Sequence, residues 1–293
     1  MRKREFALPN FVATVQFPAA TGDVEIIVYG ADGPTVENRL KSRYPGILVK
    51  RVDPYDFEQK WRRKATARKD AVMTAIAAGE KYDFSKNSIW GDLKDYLFDL
   101  FDENCAYCEC SLKAGSFGAV EHYRPKSPVV GVPGHPGYYW LAFEVHNYLP
   151  TCTQCNTAKS NRFPLADGSP RATAEGEEAL EHPLLLNPFS LVKATDHLRF
   201  VNPKIDAKVG PMAKGVTDEG KESVELLRLN RPDLMTDRLL EQERAVVDYF
   251  ATRRLGIRPN PVIQQLAAGK RPFSAAALAA VESLEQGFPS LGD

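Results

Sequence analysis

The chain has 293 residues in which 38 Lys+Arg balance 38 Asp+Glu, at 43% hydrophobic and 26% charged composition. That profile fits a globular protein of one large or two modest domains and excludes a chain disordered throughout. A pI near 7.0 excludes coating of nucleic acid by bulk charge, so any such contact has to be local. No run approaches the roughly 18 apolar residues of a membrane span, and the basic start Met1-Arg2-Lys3-Arg4 leads to Pro9 and Asn10 rather than to an apolar signal core. The expectation is a cytoplasmic protein without a membrane partner.

In chain order, Val24–Tyr29 and Ile47–Val52 read as strands, with a helix opened by Asp32-Gly33-Pro34 between them. Tyr55–Ala78 reads as a helix with six basic residues in Lys60–Lys69 around Trp61; such a run is either a solvated face or a nucleic-acid contact. Ile89–Phe101 places Trp90, Leu93, Leu97 and Phe101 at helical spacing, with Ser88 as candidate N-cap. Gly115–Gly137 turns to loops with a strand at Val120–Tyr123, and Pro164–Glu181 reads as a surface excursion. Val224–Leu229, Pro232–Leu255 and Ser274–Gln286 read as helices, with Leu239, Leu240, Val246, Val247 and Phe250 as a candidate packed face.

Four of the five cysteines form two Cys-x-x-Cys pairs, Cys105 with Cys108 and Cys152 with Cys155. In a reducing compartment such pairs are zinc ligands far more often than disulfides, and two of them suit one tetrahedral ion. Cys110 is the odd thiol, able to exchange with Cys108 as ligand. A dithiol redox protein is the alternative use of the pairs.

Three stretches interleave with the cysteines: Val120–Lys126 (VEHYRPK), His146–Leu149 (HNYL) and Cys152–Lys159 (CTQCNTAK). Cleavage of a phosphodiester needs a base, a cation to neutralise developing charge, and basic groups to hold the strand. His122 is a candidate base, and Glu121 and Asn156 are hard oxygen donors suited to Mg²⁺ or Mn²⁺. Asn147 is a candidate brace for the loop around the base. Arg124, Lys126 and Lys159 are either phosphate contacts or solvated surface charge.

In that order the motifs resemble the HNH endonucleases with the ββα-metal fold, and look most like the HNH proteins of Septu-type and retron-associated anti-phage systems. The resemblance covers about residues 88 to 164 and continues more weakly through Pro183–Phe200 and Gly220–Arg238. It implies His122 as general base, Glu121 as acidic metal ligand, Asn147 as the middle Asn and Asn156, in place of His, at the final metal position. It also implies a DNA substrate, products with 5′-phosphate and 3′-hydroxyl ends, a role in phage defence, and a partner protein such as an ATPase or a retron complex, since the chain has no Walker A pattern. Cys110 and the Gly/Pro/aromatic insert Val129–Tyr139 depart from the pattern.

The fold expected is α+β: a zinc-stapled ββα-metal core at 88–164, an N-terminal α/β and basic-helix region at 1–87, and a mostly helical region at 165–293. The competing function is a zinc-stapled module that binds nucleic acid or a partner without cutting.

Overall fold

A computed structural model describes residues 11–16, 23–28, 33–43, 46–54, 57–112, 118–190, 194–201, 210–256 and 260–287. Residues 1–4, Tyr29, Asp32 and Tyr55, and part of the loop after Gly115, lie outside them. Chain contacts divide the protein into two compact units, residues 4–96 and residues 97–293. Residues 88–96 therefore fall with the first unit, and 97–164 with 165–293 in the second.

The first unit is a three-stranded antiparallel sheet in which β1 (Phe11–Gln16) lies between β2 (Val24–Val28) and β3 (Leu48–Pro54). The two outer strands were legible in the sequence, while the central one was not, because only Ala13 and Val15 of its described side chains are buried. Helix α1 (Gly33–Arg43) closes one face, packing Val36 and Leu40 with Ala13, Val15 and Ile47. Strand alternation puts Ala13 and Val15 on that face and leaves Thr14 between them. Helix α2 (Phe57–Ala77) buries a narrow stripe of Trp61, Ala65 and Val72, and Lys60, Arg62, Arg63, Lys64 and Arg68 are exposed. Trp61 donates its indole N–H to the Ile89 carbonyl.

The element expected at 89–101 is a 3₁₀ turn, Trp90–Leu93, running into α3 (Lys94–Leu100). Ile89, not Ser88, occupies the N-cap position and makes no side-chain cap. Helix α3 turns into the Phe101–Asn104 loop, where Asp102 and Glu103 take left-handed backbone conformations, and the first cysteine knuckle follows.

The second unit begins there. Strands β4 (Ala119–His122) and β5 (Tyr148–Thr151) pair antiparallel, with Glu121 opposite Leu149 and His122 opposite Tyr148, and α4 (Thr153–Lys159) follows β5 directly. Between the strands the Val129–Tyr139 insert folds inward: Val129, His135 and Tyr138 are buried, and His135 bridges the Ala172 carbonyl and the Gly137 amide. Gly137 is required, since its φ is +93° and a Cβ would sit 2.3 Å from the Ser127 carbonyl oxygen.

The Pro164–Glu181 stretch departs from a simple surface excursion. Its last residue, Glu181, has a fully buried side chain that accepts from Tyr138 Oη at 2.7 Å, the Ala172 amide at 2.9 Å and Arg124 Nε at 2.8 Å. A buried carboxylate persists only when its lone pairs are filled, and these three donors fill them.

A short α5 (Ala194–His197) leads to a hairpin of β6 (Leu198–Val201) and β7 (Met212–Gly215), which α6 (Asp218–Leu226) follows. Thr217 caps α6 by accepting from the Gly220 amide. Then α7 (Pro232–Arg254), α8 (Pro261–Ala267) and α9 (Ser274–Gly287) pack around Ala245, Tyr249, Val262, Leu266, Ala277 and Val281.

The buried face of α7 differs from the one expected. It carries Leu234, Arg238, Glu241, Gln242, Ala245 and Tyr249, while Leu240, Val247 and Phe250 are exposed. Two of these polar residues are answered inside: Gln242 donates to the Ala276 carbonyl at 2.8 Å and Glu241 accepts from Arg271 Nε at 2.6 Å. Among the described residues no helix is long and apolar enough to cross a membrane.

Candidate functional site

Two centres lie in the second unit. The first is the thiol cluster. The knuckle Cys105–Cys110 is turned by Glu109, whose φ of +62° lets the chain double back, and the Cys105 amide donates to the Cys110 carbonyl at 2.8 Å. The second knuckle is formed at the start of α4, where Cys152 takes the N-cap position and its sulfur accepts from the Cys155 amide. Ala106 donates its amide to the Pro150 carbonyl, and the Cys152 amide donates to Cys105 Sγ at 3.3 Å, so β5 delivers one knuckle against the other.

The sulfurs of Cys105, Cys108, Cys110 and Cys152 all lie within 4.8 Å of one another. The expected set held Cys155, with Cys110 able to exchange for Cys108, and both Cys110 and Cys155 contact Cys105, Cys108 and Cys152. The left-handed turn at Glu109 brings the third thiol of the first knuckle into the group, and Cys155 stands against the same sulfurs of Cys105, Cys108 and Cys152, with Arg231 at 3.7 Å. A Zn–S bond of about 2.3 Å in tetrahedral geometry sets sulfurs roughly 3.8 Å apart. Cys108 and Cys152 are 3.8 Å apart, so the donors fit a zinc ion by both chemistry and spacing. The thiols polarise one another: hydrogen bonding with Cys105, Cys108 and Cys110 pulls Cys152 well below the usual thiol range.

The second centre is built on β4 and α4. Successive side chains of a strand face opposite sides, so His122 packs edge-on against its cross-strand partner Tyr148, ring centroids 5.1 Å apart, whereas Glu121 faces α4. His122 is 3% exposed and its Nε2 lies 3.0 Å from the Ala142 carbonyl oxygen. A carbonyl only accepts, so Nε2 carries the proton and Nδ1 the lone pair. Burial, reinforced by the charge of Lys126, holds the ring well below the ordinary imidazole range, and His122 is neutral at physiological pH.

Stability should follow from that. The unfolded imidazole titrates near about 6.5, above the folded value, so the contribution of neutral His122 is complete above that pH and is lost as pH falls toward the folded value. Without added divalent ion, the wild-type unfolding free energy should fall as pH drops below about 6.5, with an extra slope approaching about 1.4 kcal/mol per unit relative to His122→Gln. Parallel profiles for the two proteins in denaturant titrations would show that the ring is not desolvated.

Lys159 was read as a phosphate contact or surface charge, and the structure gives it another role. Its side chain is fully buried at the end of α4, and Nζ donates to Glu121 Oε1 at 2.6 Å, to the His122 carbonyl at 2.9 Å and to the Ser160 carbonyl at 3.3 Å. Burial lowers its pKa and the Glu121 carboxylate opposes that shift. Asn156 lies three residues earlier in α4 and so shares a helix face with Lys159.

Arg124 likewise leaves the phosphate-contact role. It is held by Glu181 and the Glu178 carbonyl and stacked near the rings of Tyr123, Tyr138 and Phe163. Lys126 is half-buried; burial lowers its pKa and Glu121 raises it. Asn147 is a two-way clamp: its Oδ1 accepts from the Arg124 amide at 2.8 Å, and its Nδ2 donates to the Arg124 and Leu141 carbonyls at 2.9 and 3.2 Å. It fixes the turn that leaves His122 and the segment that supplies the Ala142 carbonyl.

Three contributors had no sequence signal. Glu181 stands in an acidic run that reads as solvent-facing, the Ala142 carbonyl is backbone, and Arg231 precedes a proline far from both knuckles.

No family model matches the chain, and no solved structure does. Septu protein PtuB of Bacillus mycoides (strain KBAB4) is 37% identical over 176 residues, which is 56% of this chain and 57% of that protein. A Septu protein PtuB of Bacillus thuringiensis is 28% identical over 150 residues, 50% of this chain and 45% of the relative. Septu protein PtuA of Bacillus mycoides (strain KBAB4) is 28% identical over 144 residues, 47% of this chain but 19% of that protein. The chain thus spans about half the length of the PtuB relatives it matches, and over that span it is homologous to Septu protein PtuB.

Proposed function

We propose that this chain is a metal-dependent endonuclease of the HNH type that hydrolyses DNA phosphodiester bonds as the effector of a bacterial anti-phage defence system. Homology to Septu protein PtuB supports the defence role, and the similarity to a protein named PtuA supports a system with a second protein component. The succession of β4, β5 and α4 beside a thiol cluster supports a ββα reading of the core.

The observation that carries the proposal is the state of His122. It is a neutral imidazole with Nε2–H committed to the Ala142 carbonyl and the lone pair therefore on Nδ1, on the strand residue next to Glu121. Such a ring accepts the proton of a water molecule as the water oxygen attacks phosphorus and the bond to the 3′ oxygen breaks. Glu121 keeps Oε2 in addition to the oxygen bonded by Lys159, and the Asn156 carboxamide has no side-chain partner among the described residues. These two hard oxygens fit Mg²⁺ or Mn²⁺, which when bound supplies charge neutralisation at the phosphate. Lys126, whose charge acts on both Glu121 and His122, is the basic residue assigned to phosphate.

His122→Ala is expected to lower plasmid cleavage in Mg²⁺ or Mn²⁺ by about 10²- to 10⁴-fold, with metal content and melting temperature retained. The assay runs on the chain alone and on the chain with its partner component. Cleavage undiminished in the variant removes His122 from the chemistry. DNA retention without cleavage by either protein, with the partner present, identifies a binding module instead.

A further inference from the structure

The thiol cluster is contacted by a cation that neither the cysteine motifs nor the proposed chemistry uses. Arg231, immediately before α7, directs Nη1 to Cys155 Sγ at 3.7 Å and Nη2 to Cys108 Sγ and Cys152 Sγ, each at 3.8 Å. Its Nε is held at 2.9 Å from Gln154 Oε1 and 3.1 Å from Asp233 Oδ2, which aims the fork at the sulfurs. Two turns along α7, Arg238 is 2% exposed, and its Nη1 has no hydrogen-bond partner among the described residues. The ring of Phe200 lies under its guanidinium at 5.4 Å, and the anionic groups that act on it are Cys108, Glu109 and Cys155.

A buried guanidinium with an unanswered N–H is costly unless a negative centre stands nearby. Neutral thiols add nothing to the single charge of Glu109. Four thiolates around a divalent ion carry a net charge of −2, and two guanidinium groups cancel it. The same knuckle also holds α9: the Glu109 carbonyl accepts from the Phe273 amide at 3.1 Å, and Glu109 Oε2 accepts from the Ala275 amide at 3.0 Å.

We propose that Arg231, backed by Arg238, is the counter-cation of a metal–thiolate centre, and that the bound metal thereby latches α7 and α9 onto the cysteine knuckles. The inference rests on the reading that the cysteines hold a metal. Arg231 is a positioning residue in this scheme: its N–H groups draw density from the thiolates and favour the charged, metal-binding form of the cluster. Metal occupancy and docking of residues 231–287 then become one equilibrium, which connects the C-terminal helices to the α4 end that carries Asn156 and Lys159.

The first measurement is the zinc content of the purified full chain. A protein that neither contains zinc nor takes it up overturns the metal reading itself, separately from the latch. On the metal-loaded protein, Arg231→Ala is expected to weaken zinc retention against a chromophoric chelator by about 10- to 100-fold. Arg231→Lys, with charge but no fork, should fall between that variant and the wild type, and Lys221→Ala on the exposed face of α6 should match the wild type.

In the Co²⁺-loaded protein the sulfur-to-metal charge-transfer band should shift in both Arg231 variants, a readout that mere loss of packing does not move. Limited proteolysis should cut residues 231–287 of the wild type only after chelation, and of Arg231→Ala with metal bound. Zinc retention within about two-fold of wild type, an unshifted cobalt band, or helices that stay protected after chelation would each overturn the latch. Should Arg231→Ala fail to fold, Arg231→Lys carries the same comparison.

Discussion

Cys152→Ser is expected to lose its metal and, with it, cooperative folding of the second unit at 25 °C. Cys152 is one of the four sulfurs that lie within 4.8 Å of one another, it stands 3.8 Å from Cys108, and it accepts from Arg231. It is also the N-cap of α4. Serine is among the best N-cap residues, so the substitution keeps the cap and removes only the sulfur.

Structural zinc contributes about 10 to 16 kcal/mol of apparent binding free energy in small domains, as large as the whole stability of an ordinary domain. Metal analysis together with a thermal melt followed by far- and near-UV circular dichroism checks this. A variant that melts like the wild type would mean that the fold does not depend on metal. Cys110→Ser and Cys155→Ser, compared in the same way, identify the fourth ligand. Cys110 and Cys155 each contact Cys105, Cys108 and Cys152, so whichever of the two variants loses its zinc names the fourth ligand.

Lys159→Met is expected to destabilise the protein by about 3 to 5 kcal/mol, the usual cost of removing one partner from a buried ion pair. Glu121 has a side chain only 12% exposed and would be left with an uncompensated charge, and the His122 and Ser160 carbonyls would each lose a donor. The double variant Lys159→Met with Glu121→Gln should recover part of the loss, because the stranded charge is then gone. A double variant no more stable than Lys159→Met alone, in denaturant titrations, would mean that the cost lies in the carbonyls and not in the pair. The single variant also tests position: with Lys159 gone, α4 is no longer tied to the end of β4, so cleavage should fall even at temperatures where the protein remains folded.

The cysteine spacing announced a clustered thiol site without any structure, because Cys-x-x-Cys is a local geometric unit that needs only one turn of chain. The choice among five thiols was not local. It depends on the left-handed backbone at Glu109, which brings Cys110 to the same three sulfurs that Cys155 reaches. The same division runs through the basic residues. Arg124 and Lys159 look like surface charge in a linear reading, yet Arg124 is partly buried and Lys159 fully buried against partners 57 and 38 residues away.

Sequence alone announced the strands β2, β3 and β4, the helices α1, α2, α7 and α9, the two Cys-x-x-Cys pairs, and the candidate base, acid and amides at His122, Glu121, Asn147 and Asn156, whereas the helix read at Val224–Leu229 lies earlier, at Asp218–Leu226. These signals are carried by periodicity and by side-chain chemistry, which act over a few residues. Tertiary structure alone decided which nitrogen of His122 holds the lone pair, that Asn147 clamps backbone, that α7 buries Arg238, Glu241 and Gln242 while exposing Leu240, Val247 and Phe250, and that Arg231 meets three sulfurs. Each of those outcomes is set by desolvation and by hydrogen bonds between residues distant in the chain, and both depend on what the folded protein brings against a group rather than on what precedes it in sequence.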